Sequence, residues 1–220
     1  MVVCRAVGAK DPRVKPEGGG HPAAASPVTR ALVLFAHPCP ESFSAALKDR
    51  VVAALTRRQW HVDLCDLNAE GFDPLLSEDE RRGYHDSPTN RVPVQGHIDR
   101  VMAAQALVMV FPVWNFGYPA ILKGFLDRVF LPDVSFRLVN GKVTPNLTHI
   151  RKLAAVTTYG GSRMRALLLG DPPRKCVTRA VWHVCRPDKM KYLALYDMNR
   201  ATDTARAAFL GRVETEMERF

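Results

Sequence analysis

Trp114, Asn115, Phe116 and Gly117 put two aromatic faces, an amide and a glycine in a row, inside the block FPVWNFGYPAILKGFLDRVF that runs from Phe111 to Phe130. Ahead of them, Ala106 to Phe111 is a continuous apolar run, the pattern of a parallel strand covered on both faces. Behind them, Pro119 can open a helix in which Ile121, Leu122, Phe125, Val129 and Phe130 recur at helical spacing. The aromatic turn therefore falls at a strand's carboxyl end, where open α/β sheets bind ligands. Pro112, Val113, Trp114, Asn115 and Phe116 are the candidates there, and their chemistry suits a planar cofactor such as an isoalloxazine ring.

Two more loops stand at equivalent places. Ala36 to Ser44 (AHPCPESFS) leads from an apolar run into a helical pattern. Ser42 can cap that helix, and the free N–H groups of its first turn, around Phe43 and Ser44, form an anion site suited to a phosphate. His37 is either a loop histidine bonded to backbone or a phosphate partner. The third loop is Thr157-Thr158-Tyr159-Gly160-Gly161-Ser162, where Gly160 and Gly161 allow close backbone approach to a ligand, such as the electron-rich N1–C2=O edge of a reduced flavin.

Rival sites fail on residue identity. Cys39 is followed by Pro40, Glu41, Ser42, Phe43, Ser44 and Ala45, so no arginine closes a phosphotyrosine-phosphatase loop. His37 and Pro112 occupy the strand ends where a response-regulator receiver needs acids. No GxGxxG follows the first strand and no Walker lysine is present, which argues against a Rossmann dehydrogenase and a P-loop NTPase.

The elements that must position these loops alternate along the chain. Strands are expected at Arg30 to Ala36, His61 to Leu67, Ala106 to Phe111, Leu153 to Thr158 and Tyr192 to Tyr196, the second of them nearer an edge. Helices are expected at about Phe43 to Arg58, Ile98 to Ala104, Pro119 to Phe130, Arg174 to Val184 and Thr204 to Met217. The polar connection from Asn68 to Gly96 is long enough to be functional or to carry short helices. Five strands alternating with helices imply an α/β fold, a doubly wound five-stranded parallel sheet. Residues 1–28, rich in Pro, Gly and Ala, read as a disordered extension, with 29–220 a single domain.

With 220 residues and 47% hydrophobic content, one compact core is the natural expectation. No apolar run is long enough for a transmembrane segment, and the start lacks a secretory h-region. Five scattered cysteines without a CxxC pair predict neither disulfides nor a metal site, and fit a reducing cytoplasm. The formal charge is +9. Between Arg163 and Lys191 stand eight Lys or Arg against Asp171 and Asp188, either a solvated basic face or an attractor for an anion such as the 2′-phosphate of NADPH. No nucleic-acid motif accompanies the charge.

Taken over Arg30 to the C-terminus, the AHP…ESFS loop, the FDPLLSEDE segment at Phe72 to Glu80, the FPVWNFGYPAILKGFLDRVF block and the TTYGGS loop resemble the flavodoxin-like NAD(P)H:quinone oxidoreductase family, the group containing DT-diaphorase. The resemblance implies a flavodoxin-like sheet of order 2-1-3-4-5, a homodimer with sites at the subunit interface, and FMN as cofactor, with FAD the alternative. It also implies two-electron, ping-pong transfer from NAD(P)H to a quinone-like acceptor. By the same resemblance His37, Ser42, Phe43 and Ser44 hold the phosphate, Pro112 to Phe116 the ring, and Thr158, Tyr159, Gly160 and Gly161 the pyrimidine edge. The animal quinone reductases carry a Tyr and a His after the glycine pair; the matching places here are Arg165 and Leu169. Arg163 or Arg165 is therefore expected to supply positive charge, with Tyr159 stacking on or bonding near the ring. The alternative is a flavin-binding carrier or regulatory subunit without turnover.

Overall fold

The protein is described by a computed structural model over residues 29–220. The expected disordered extension, 1–28, lies outside the described residues.

Five parallel strands make the central sheet: β1 (Arg30–Phe35), β2 (His61–Asp66), β3 (Ala106–Val113), β6 (Lys152–Tyr159) and β7 (Lys189–Leu195), in the order β2-β1-β3-β6-β7. Counted along the chain, that is 2-1-3-4-5, with β2 at the edge as expected. The apolar runs are unbroken because successive side chains alternate between two cores. Leu32 and Leu34 of β1, with Leu107, Met109 and Phe111 of β3, face one core. Ala31, Val33 and Phe35, with Ala106, Val108 and Val110, face the other.

The first core is covered by α3 (Gln95–Ala103), α4 (Ala120–Val129) and the helical segment from Pro172 to Cys185; the second by α1 (Phe43–Arg57) and α8 (Asp203–Glu218). Helix starts follow side-chain chemistry. Ser42 caps α1 by accepting from the Ala45 N–H at 3.1 Å, and Thr202 caps α8 through Ala205. Within the long connection, Ser77 and Glu80 close a capping box on α2 (Glu78–Arg82). No helix among the described residues is long and apolar enough to cross a membrane.

Three local expectations need correction. β3 continues past Phe111, so Pro112 and Val113 are strand residues; they pair with Thr158 and Tyr159 of β6. An antiparallel hairpin, β4 (Phe136–Val139) and β5 (Lys142–Pro145), was not expected, although Asn140-Gly141 between two short runs is its signature and both residues have the positive φ that such turns require. The expected helix over 174–184 starts at Pro172, passes through a π-helical stretch at Cys176–Val181 and ends at Cys185, with Asp171 just ahead of its opening.

Candidate functional site at the strand carboxyl ends

The three loops converge. At the carboxyl ends of β1, β3 and β6 lie two adjoining cavities of about 570 and 450 Å³, sharing Val113, Asn115, Gly160 and Asn199. His37, Ser42, Phe43, Ser44, Pro112, Trp114 and Thr158 line the first; Phe116, Tyr159, Gly161 and Arg165 line the second. Every cofactor-binding candidate named from the sequence thus borders one continuous recess. Each of its two cavities lies within the roughly 300–1,000 Å³ of small-molecule and cofactor sites.

The first cavity is built for an anion. The 15-residue helix α1 points its N-terminus into it, and the N–H groups of Phe43 and Ser44 have no carbonyl one turn earlier to bond. The His37 Nδ1 accepts from the Cys39 N–H at 3.0 Å, which assigns the proton to Nε2 and leaves that N–H to donate. The His37 ring is held edge-to-face against Trp114, 5.6 Å between centroids.

The second cavity is bounded by a strained turn. Trp114 and Gly117 exchange backbone hydrogen bonds of 3.2 and 2.8 Å, while Asn115 and Phe116 between them take φ of 48° and 54°. An aromatic residue in the left-handed region is costly. The turn holds Trp114 46% exposed, with Asn115 and Phe116 facing the cavity. Neither glycine of the TTYGGS loop has positive φ; the reason for Gly160 is proximity, since a Cβ there would lie 3.3 Å from the Asn199 amide.

Tyr159 departs from expectation. Its side chain is 1% exposed, so no ring face is open to a ligand. Its hydroxyl donates to Asp171 Oδ1 at 2.6 Å and meets the Tyr192 hydroxyl at 2.7 Å, and its ring stacks on Tyr196. Arg174 completes the network, donating to Asp171 Oδ2 at 2.9 Å and to the Tyr196 hydroxyl at 2.7 Å. Burial pushes the Tyr159 and Tyr192 phenols up, so both remain neutral. Tyr159 thus borders the cavity while its hydroxyl is committed to this network behind it.

The two arginines also part company. Both belong to the unexpected short helix α5 (Arg163–Leu168), capped by Ser162, but Arg165 lines the recess whereas Arg163 lines a separate cavity on the far side of the helix. Met198 and Asn199 were missed. They lie in a 3₁₀ turn after β7, and the signal was available: Tyr196-Asp197-Met198-Asn199 follows the last strand just as the other loops follow theirs.

Away from this recess, Cys65, Glu70 and His97 bring one donor atom each within 4.8 Å of one another, although the sequence predicted no metal site. Glu70 already accepts from Arg100 at 2.7 Å and from the Cys65 thiol, which burial pushes up to about 12. Arg100 also binds Asp63 through three contacts, so the cluster reads as an internal polar network.

A family model described as flavodoxin-like fold matches residues 29–216. The chain is 26% identical over 182 residues to an uncharacterised NAD(P)H oxidoreductase of Haemophilus influenzae, a match covering 81% of this chain and 89% of that protein. It is 30% identical over 156 residues to rat NAD(P)H dehydrogenase [quinone] 1, covering 64% of this chain and 57% of the rat protein's length. Among solved structures, an FMN-dependent NADH-azoreductase from Bacillus anthracis in complex with FMN superposes with a TM-score of 0.71 at 14% identity, over 87% of this chain and 99% of that one, a similarity of fold.

Proposed function

The chain belongs to the flavodoxin-like fold family, and from that premise we propose that it is a flavin-dependent NAD(P)H oxidoreductase that passes two electrons to a quinone or similar electron-poor acceptor. The observation that carries this reading is the continuous recess at the carboxyl ends of β1, β3 and β6, with an anion-binding helix N-terminus at one end and the Trp114–Gly117 turn at the other. That donor set fits FMN, which ends in a single phosphate. Bound there, the flavin would supply the hydride chemistry, accepting from NAD(P)H and giving to the acceptor in alternate half-reactions.

The chain's own residues bind and orient. The α1 N-terminus, Ser42, Ser44 and the His37 Nε2–H hold the phosphate; Pro112 to Phe116 wall the ring; Thr158, Gly160, Gly161 and Asn199 border its polar edge. Arg165, the cation on this side of α5, stabilises negative charge gained at that edge. Exposed Met164, Leu167, Leu168 and Leu169 on and beside α5 support a homodimer in which a second copy covers this apolar strip. The free cysteines Cys39, Cys65, Cys176 and Cys185 support residence in a reducing cytoplasm.

The test is the visible spectrum of FMN-loaded protein before and after anaerobic NADH or NADPH, followed by a quinone. Flavin bands that bleach and then return are expected. Bands that persist would leave a carrier or regulatory subunit, and failure to bind FMN or FAD would overturn the reading of the recess.

A further inference from the structure

The α5 helix stands between two cavities, and the second is strongly cationic. It measures about 350 Å³ and is walled by Arg163 from α5, by Arg174, Lys175 and Arg179 from the helical segment after Asp171, and by Tyr196 beyond β7. Asp171 is its only acid. That carboxylate is already engaged on both oxygens, by Arg174 at 2.9 Å and by the Tyr159 hydroxyl at 2.6 Å. Among the described residues, Arg163, Lys175 and Arg179 pair with no carboxylate, so three positive charges share one small space.

Several other arginines among the described residues, by contrast, meet acids. Arg50 and Arg57 meet Glu214 and Glu218, Arg100 meets Asp63 and Glu70, and Arg151 meets Asp188. Crowding cations without counter-charge costs electrostatic energy that an anionic ligand would return. Arg179 also sits in the π-helical stretch, a local widening found frequently at functional sites. Two guanidinium forks and an ammonium around a recess of this size match a phosphomonoester dianion, which arginine binds bidentately.

The position identifies the phosphate. α5 borders both cavities, and Tyr196, which lines the cationic one, stacks at 4.5 Å on Tyr159, which lines the ring-side one. A dinucleotide whose nicotinamide lies against the ring would have its far end on this side of α5. Resting on the oxidoreductase reading, we propose that this cavity binds the 2′-phosphate of NADPH and makes the protein prefer NADPH to NADH.

Calorimetric titration of the FMN-loaded protein with adenosine 2′,5′-bisphosphate and with 5′-AMP tests this, alongside kcat/KM for both coenzymes. The proteins compared are wild type, the Lys175→Ala/Arg179→Ala double variant and Arg212→Ala, which removes an α8 cation from the other face of the sheet. The bisphosphate is expected to bind at least about tenfold tighter than 5′-AMP, with a similar NADPH-to-NADH ratio in kcat/KM. Both ratios should fall toward one in the double variant and persist in Arg212→Ala. Equal binding of the two nucleotides, a coenzyme ratio near one in wild type, or equal loss in Arg212→Ala would overturn the proposal. Turnover with neither coenzyme would instead remove the oxidoreductase reading, and the titration, which needs no turnover, would still decide the phosphate site.

Discussion

The belt around Phe72 to Arg82 and the recess at the strand ends both set an arginine beside aromatic side chains, yet only the belt supplies that arginine with acids. In the belt the buried arginine is matched internally. Arg128, buried on α4, donates to Glu80 Oε1 through Nε at 3.0 Å and through a terminal nitrogen at 2.6 Å, binds the Asp73 carbonyl and lies over the Phe72 ring. Glu80 at the same time closes the capping box with Ser77. Gly124 lets α4 lie directly on Pro74. At the recess, Arg165 has no carboxylate partner among the described residues, Trp114 stands half in solvent, and Phe116 sits in strained backbone. The belt's polar groups hold the fold; the recess leaves its polar groups for something that is not part of the chain.

Breaking the belt should cost the most. Arg128→Ala leaves the partly buried Glu80 without its cation, and a loss of about 3–5 kcal/mol is expected in urea unfolding; a loss below about 1 kcal/mol would mean that the pair is not what anchors the segment. The pH dependence follows from the same group. Burial alone would push the Glu80 carboxyl up, but the bonds from Ser77 and Arg128 outweigh it and hold it below its ordinary 4.5. A depressed folded-state value means that stability is fully present above the unfolded value and is lost as pH falls through the folded one. Glu80→Gln should therefore flatten the acid limb of the stability curve below about pH 4.5.

Next in size is Gly124→Ala. A Cβ there would fall 2.3 Å from the Pro74 carbonyl oxygen, a backbone atom that cannot swing away. About 2–3 kcal/mol of destabilisation is expected from the forced separation; an unchanged Tm would show that the belt rides more loosely on α4 than its packing suggests.

Tyr159→Phe sharpens the comparison from the other side. It removes the hydroxyl shared by Asp171 and Tyr192 behind the recess, and about 1–2 kcal/mol should be lost. Turnover per bound flavin should hold if Tyr159 only supports the site, and a steep fall in kcat would restore it to the reaction. Smallest in stability is Trp114→Ala, within about 0.5 kcal/mol of wild type because the side chain is half exposed. Flavin fluorescence titration should nonetheless show affinity falling about tenfold, the value of one lost aromatic wall.

What local pattern encodes was legible. Arg30 to Ala36 read as a strand and Ala106 to Phe111 as a strand covered on both faces, and the turn signals after them placed His37, Ser42 and Trp114 at strand ends. The Asn140-Gly141 hairpin carried an equally local signal that went unread. Tyr159 was different, since it follows Thr157 and Thr158 in a strand whose alternation says which face it takes but not that Asp171, Tyr192 and Tyr196 wait there.

The sequence by itself determined the alternation of strands and helices, the position of each loop relative to a strand's carboxyl end, and the cap at Ser42, because each depends on spacing within a few residues. Only the tertiary structure decided that Arg165 looks into the recess while Arg163 looks away, that Asn199 closes the pocket over Gly160, and that Gly124 meets Pro74. Those outcomes depend on how elements far apart in the chain dock, and docking direction is set by packing across the sheet, which no local spacing carries.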